Sequence, residues 1–346
     1  MSTSESTNLS TNSAPPAATS KVARATGVVS LMTLLSRILG LIRDMAIAGF
    51  FGAGRTTDAF FVAFKVPNLL RRLVAEGSLS TAFVPIFVEE REKSHEASRE
   101  AVGAVTSFTI CLTGFLTILG MIFAEEITLL FAPGFATEPE QVVLSSELLR
   151  LMFPYIVLVS ALALAASILN SLGKFALPAL APALLNVVMI FAVFAVAPYL
   201  DEPVFALAWA VLGGGILALL PQLMLLKKLG LELHFRNPLK SDAVRRLLKL
   251  MLPSILSASF YQFMVFINTL LASMLVEKSV SWLFYADRLF QFPLGVFSLA
   301  VATAVLPELS RHAARKNYTA LNYQLTVALR WMTVVTIPAT VGLMVL

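Results

Sequence analysis

The chain has 346 residues, 58% of them hydrophobic and only 14% charged, with a mean hydropathy of +0.81. A water-soluble domain carries about 25% charged residues, so this composition excludes one and specifies an all-α polytopic membrane protein. The formal net charge of +5 does not mark a nucleic-acid surface, because the bases crowd into alternate loops. The lone cysteine, Cys111, excludes an intrachain disulfide and a cysteine metal site, and its apolar setting reads as a small buried side chain.

Residues 1–24 read as a disordered cytoplasmic tail, rich in Ser, Thr, Pro and Ala and without the apolar run of a signal peptide. Nine apolar spans follow, at residues 28–51, 59–89, 102–123, 144–172, 180–200, 204–226, 247–275, 281–309 and 325–346. Spans one to six (25–228) form a first lobe, residues 229–246 a cytoplasmic amphipathic linker, and residues 247–346 a partial second lobe with spans seven to nine. Residues 124–143 hold a short interfacial helix on the outer side. The linker mixes bases with apolar residues in a way that suits a helix lying on the inner headgroups. The odd span count and the stop at Leu346 suggest a fragment of a longer protein.

Arg and Lys set the orientation. One side holds Lys21, Arg24, Arg91, Lys93, Arg99, Lys174 and the bases of 227–249, whereas the other holds little beyond Arg55 and Lys278. The N-terminus is therefore expected in the cytoplasm, with anionic membrane lipids as secondary partners. An internal echo links STAFVPIF (80–87) to ATAVLPEL (302–309), each after an aromatic-rich stretch. It pairs span two with span eight, as in parallel repeats of six helices.

Arg37, Arg43, Arg71 and Arg288 lie inside the apolar spans, where each costs roughly 2.5–3.5 kcal/mol at mid-membrane and so marks a functional site. Arginine keeps its charge, and its planar fork matches the oxygens of phosphate or carboxylate. Arg37 and Asp44 are seven residues apart and share a face of span one. In span two Asp58, Lys65, Asn68, Arg72 and Glu76 fall on one helical stripe flanked by Arg71, with Pro67 interrupting the backbone ladder. Span eight adds Asp287 beside Arg288. The plainer reading is that these charges pair among themselves to survive burial, with Arg72 and Glu76 at i,i+4 spacing an easy candidate. Counting favours a surplus: Arg37, Arg43, Lys65, Arg71, Arg72 and Arg288 outnumber Asp44, Asp58, Glu76 and Asp287. The arginines are expected to bind an anion, and the supporting residues to shape or gate the cavity. Gln262 and Asn268 in span seven are candidates for a monovalent cation, against the plainer role of bonding neighbouring helices. No metal-ligand spacing, Walker loop or nucleotide fingerprint occurs in the sequence, so neither a cofactor nor hydrolytic power is expected.

The stretches SRILGLIRDMAIAGFFGAG, TDAFFVAFKVPNLLRRLVAEGSLSTAFVPIF and VSWLFYADRLFQFPLGVFSLAVATAVLPELS resemble the MurJ (MviN-type) lipid II flippases over nearly all of 25–346. The resemblance implies a MATE-like two-lobe helical bundle whose second lobe is incomplete here, since the family has further spans that form a groove for the lipid tail. It implies translocation of lipid II to the outer leaflet of the cytoplasmic membrane, with no enzymatic step. The family's cavity arginines match Arg37, Arg43, Arg71 and Arg288, and its acidic positions match Asp44, Asp58 and Glu76. The membrane potential or a monovalent cation is the implied driving force. The alternatives are a cation-coupled multidrug or polysaccharide-precursor exporter, a membrane glycosyltransferase, or a non-transporting scaffold for cell-wall synthesis proteins.

Overall fold

The computed structural model describes residues 16–238, 241–293 and 299–345. Helix α1 (Pro16–Phe51) turns at Gly52, whose φ of +67° is left-handed. The helix starts inside the stretch expected to be a tail, where Ala-rich sequence after Pro16 favours helix. Helix α2 (Arg55–Leu70) contains Pro67 and passes into a π-helical segment, Arg71–Leu79, before α3 (Ser80–Lys93). Proline removes a backbone donor, and the wider turn follows directly upon it.

Ser94 caps α4 (His95–Ile122) by accepting from the Ala97 amide at 2.9 Å. A short helix does occur in 124–143: α5 (Ala124–Phe131), followed by a 3-10 turn, Pro133–Thr137. Span four is two helices, α6 (Pro139–Met152) and α7 (Tyr155–Ser171), divided at Pro154. Next come α8 (Ala176–Ala195), α9 (Phe205–Lys228), α10 (Asp242–Ser273), α11 (Ser279–Pro293), α12 (Leu299–Ala314) and α13 (Tyr318–Val345).

Where its residues are described, each expected span is mainly helical. Among the described residues, six helical stretches are long and apolar enough to cross a membrane: 95–122, 139–171, 176–199, 205–228, 242–273 and 318–342. Spans one, two and eight fall on α1, α2–α3 and α11–α12, the helices that carry the charged constellation. The chain is a multi-pass membrane protein.

Two apolar clusters hold α1–α9 together and take in the start of α10. One joins Phe60, Phe61, Leu148, Met152, Phe153 and Ile156; the other joins Phe83, Phe87, Val102, Leu164, Ile168 and Leu247. Between helices in a membrane this packing is driven by dispersion contacts, since lipid is as apolar as the side chains. Helix α8 lies between α1 and α9, and α2 packs on α6. Helices α10 and α13 bury little of themselves, leaving apolar faces such as Leu256, Phe260, Trp331 and Ile337 exposed.

Two expectations fail. Residues 231–237 form no helix. They run as an irregular strap along α4, where Leu231 is buried and the Arg236 amide donates to Ser107 Oγ at 2.8 Å. Gly230 and Pro238 bound the strap, and Gly103 makes room for it, since a Cβ there would lie 2.5 Å from His234 Nε2. Cys111 is exposed on α4.

Candidate functional site: an arginine-lined hollow

Helix α1 packs on α8 and carries Arg37 and Asp44 on one face, two turns apart, with Arg43 about a quarter-turn round. Arg43 is buried and donates from Nε and Nη2 to Asp44 Oδ1 at 2.9 and 2.6 Å. Its Nη1 donates to Asn186 Oδ1 of α8 at 2.9 Å, and Asn186 Nδ2 donates to the Ser36 carbonyl at 3.0 Å. Arg43 is thereby held on both sides, its planar fork matched to a carboxylate and an amide.

Arg288 arrives from α11. Its Nε lies 3.4 Å from Asp44 Oδ2, at ion-pair distance but outside hydrogen-bond geometry. Its guanidinium stands 5.0 Å from the centre of the Phe284 ring. One carboxylate therefore serves two arginines. Arg71 begins the π-helical segment and donates from Nε to Asn68 Oδ1 at 3.1 Å. Arg72 sits over the Tyr261 ring of α10 at 5.8 Å. Among the described residues Arg37 has no ion-pair partner.

These groups surround a single hollow of about 270 Å³, lined by Arg37, Arg43, Arg71, Arg72 and Arg288, with Asp44 as the one carboxylate among the described residues. All four arginines singled out in the sequence meet there. The volume lies just below the range of about 300–1,000 Å³ for complete small-ligand sites. That suits an anionic group better than a whole amphiphile.

The supporting residues divide. Asp58, buried, accepts from the Lys278 and Ser281 amides at 2.9 and 2.8 Å and from the Ser281 hydroxyl, so it caps the start of α11 across 223 residues of sequence. Lys65 Nζ donates to Thr269 Oγ1 of α10 at 2.9 Å. Asp58, Lys65 and Arg72 thus share a face, as their spacing of seven requires, and that face meets α10 and α11. Asp287 is exposed and accepts from Gln291, outside the hollow's lining. The Glu76 side chain lies outside the described residues. Gln262 is buried and Asn268 exposed, so the two are not brought together.

Contacts tie the helices together toward both ends of the bundle. At one end Asp58 joins α2 to α11, Arg55 bridges Glu138 at 3.0 Å and Glu277 at 3.4 Å, and the Tyr285 hydroxyl donates to the Gly52 carbonyl at 3.0 Å. Phe61 stacks on Phe284 at 3.8 Å just beneath. Those rings belong to the two aromatic stretches that precede the echoed sequences. At the other end Arg246 of α10 forms a bidentate pair with Glu89 of α3.

A family model for the lipid II flippase MurJ matches residues 47–346. The chain belongs to the MurJ family. A probable lipid II flippase MurJ of Buchnera aphidicola (strain APS) is 41% identical over 320 residues, which are 90% of this chain and 61% of that protein. The lipid II flippase MurJ of Burkholderia cenocepacia is 42% identical over 293 residues, 83% of this chain and 57% of that protein. The chain therefore spans about three-fifths of the length of these MurJ relatives. A solved structure of a lipid II flippase MurJ in an inward closed conformation superposes with a TM-score of 0.74 at 31% identity, covering 91% of this chain and 64% of that one. A MATE protein in complex with MaD3S superposes at 0.61 with 17% identity, covering 92% and 72%, which shows the MATE-like fold alone.

In this MurJ-family chain two site residues escaped the sequence reading. Asn186 is the partner that fixes Arg43, and its signal was a lone amide in the otherwise apolar helix ALPALAPALLNVVMIFAVFA. Tyr285 bonds the turn between α1 and α2, a contact across 233 residues that no local pattern announces.

Proposed function

We propose that this chain supplies the substrate-binding part of a lipid II flippase, which carries the lipid-linked peptidoglycan precursor from the inner to the outer leaflet of the cytoplasmic membrane by alternating access. The observation that carries the reading is the convergence of Arg37, Arg43, Arg71 and Arg288 on one hollow. The names of the relatives and the family model support it.

With the N-terminus in the cytoplasm, the hollow receives the diphosphate from the inner leaflet while the polyprenyl tail stays in lipid. Phosphate oxygens take the charge-assisted bonds of Arg37 and Arg71 and compete with Asp44 for Arg288. Neutralising the surplus charge lets the ends of the bundle exchange their closures: the Asp58 cap on α11 opens while the Arg246–Glu89 pair holds. After release the positive hollow returns inward, drawn by an inside-negative potential worth about 2.3 kcal/mol per charge per 100 mV. The potential is the proposed drive, and no cofactor is needed. Cell-wall synthesis proteins are the proposed partners for the product. A cation-coupled exporter calls for carboxylates in the cavity, whereas the described lining residues include five arginines and one aspartate.

The test is translocation of lipid II in cells depleted of their own flippase and supplied with this protein. Arg37→Ala and Arg288→Ala should each abolish outward movement at normal expression. Unchanged movement in either variant removes the arginines from the mechanism.

A further inference from the structure

A second pocket, of about 760 Å³, lies away from the hollow, where the end of α3, the starts of α4 and α10 and the strap meet. Its volume falls within the roughly 300–1,000 Å³ of a complete small-ligand site. Ala97, Ala101 and Ala104, spaced four and three apart on one face of α4, line it with small side chains that leave room. Around them stand Lys93 of α3, Arg236 of the strap, and Arg245, Arg246 and Lys249 of α10. Bases carried by α10 therefore share one cavity with bases carried by α3 and by the strap that α4 holds.

The acids nearby hold these bases lightly. Arg236 stands 3.7 Å from Glu100 and Arg245 3.3 Å from Asp242, with all four side chains more than half exposed. Exposed pairs of this kind are worth about 0–1 kcal/mol. Lys249 has no ion-pair partner among the described residues. The described lining sets five bases against Glu90, Glu100 and Asp242, which leaves two positive charges in excess. A phosphomonoester carries about −1.5 to −2 at neutral pH and three acceptor oxygens, so it matches that excess. A carboxylate supplies only one charge, and a neutral ligand none.

We infer that this pocket binds a phosphate-bearing ligand, and that the bound phosphate clamps α10 against α3 and α4. Arg246 in its wall already joins α10 to α3 through Glu89, so the ligand adds to a closure that the fold provides. A group that touches both sides of an interface favours the arrangement in which both contacts are made. Two sources offer a phosphate at such a surface, a soluble phosphorylated compound and a lipid headgroup, and the chemistry of the pocket suits either. The clamp acts whatever the hollow carries, so it stands apart from the transport reading.

The test follows the distance between spin labels on Glu92→Cys of α3 and Leu248→Cys of α10 in the 346-residue chain with Cys111→Ser; both labelled positions are exposed and outside the lining. In one arm, phosphatidylcholine nanodiscs are titrated with inositol hexakisphosphate, a soluble polyphosphate too bulky for the 270 Å³ hollow. In the other, the nanodiscs contain increasing phosphatidic acid and no soluble phosphate. The distance distribution should narrow in at least one arm. Narrowing in the first alone assigns the site to a soluble compound, and in the second alone to a lipid headgroup. Arg245→Gln with Lys249→Gln should need about tenfold more ligand for half the effect, as for the loss of one charge-assisted bond. Lys227→Gln with Lys228→Gln removes the same charge from the exposed end of α9 and should respond as the wild type does. An unchanged distribution in both arms overturns the clamp. So does a full response in the pocket variant, or an equal loss in the two double variants, which would reduce the site to overall surface charge.

Discussion

Asp44→Asn tests the electrostatics of the hollow most directly. The carboxylate is buried, receives two bonds from Arg43 and stands 3.4 Å from Arg288. Removing one partner of a buried ion pair costs about 3–5 kcal/mol, because the other charge stays behind unpaired. Two features pull the figure to the lower end. Arg43 keeps its bond to Asn186, and the Arg288 side chain is 32% exposed, so solvent screens its share. A loss of about 3 kcal/mol is expected, measured by unfolding in detergent. The same change raises the surplus charge of the lining by one. Pyrophosphate should therefore bind more tightly, by about tenfold if some 1.4 kcal/mol of the lost pairing is recovered from the anion. Stability falling while anion affinity rises is the signature. A variant as stable as the wild type, or one that binds pyrophosphate more weakly, would refute Asp44 as the internal counter-ion.

Asp58→Asn weakens the cap on α11 by about 1–2 kcal/mol, since a carboxylate at a helix start answers both the free amides and the dipole. Spin labels at Thr56 and Lys278 should report longer and broader separations, and an unchanged distribution would argue that the cap is not a latch. Gly134→Ala places a Cβ 1.8 Å from the Ser273 carbonyl, a backbone atom that cannot step aside. A loss of about 1–3 kcal/mol follows from such overpacking. At Gly49 in α1, where a Cβ meets open space, the same substitution should be neutral or stabilising by up to about 1 kcal/mol. Equal melting temperatures for the two variants would contradict the close approach.

The spans were legible because apolar length is a strong signal, and the arginine cluster because charge in such runs is expensive. The seven-residue spacing of Asp58, Lys65 and Arg72 also predicted their common face. Other features depend on contacts far apart in sequence. Nothing near Asp58 says that its acceptors serve amides at 278 and 281, and nothing near Asn186 says that it will hold Arg43. Residues 231–237 had the composition of a surface helix, but Gly230, Pro238 and the bond to Ser107 made a strap instead. Cys111 showed that in lipid an apolar neighbourhood does not imply an interior position, since the outward surface is apolar as well.

Among the described residues of the lining, five guanidinium groups face one carboxylate, a formal excess of four positive charges. A chamber of that charge attracts mobile anions from the surrounding buffer. Any anion that binds there must displace them, so its measured affinity is an exchange constant. It should weaken as chloride or phosphate concentration rises, and values obtained in different buffers are comparable only after that correction.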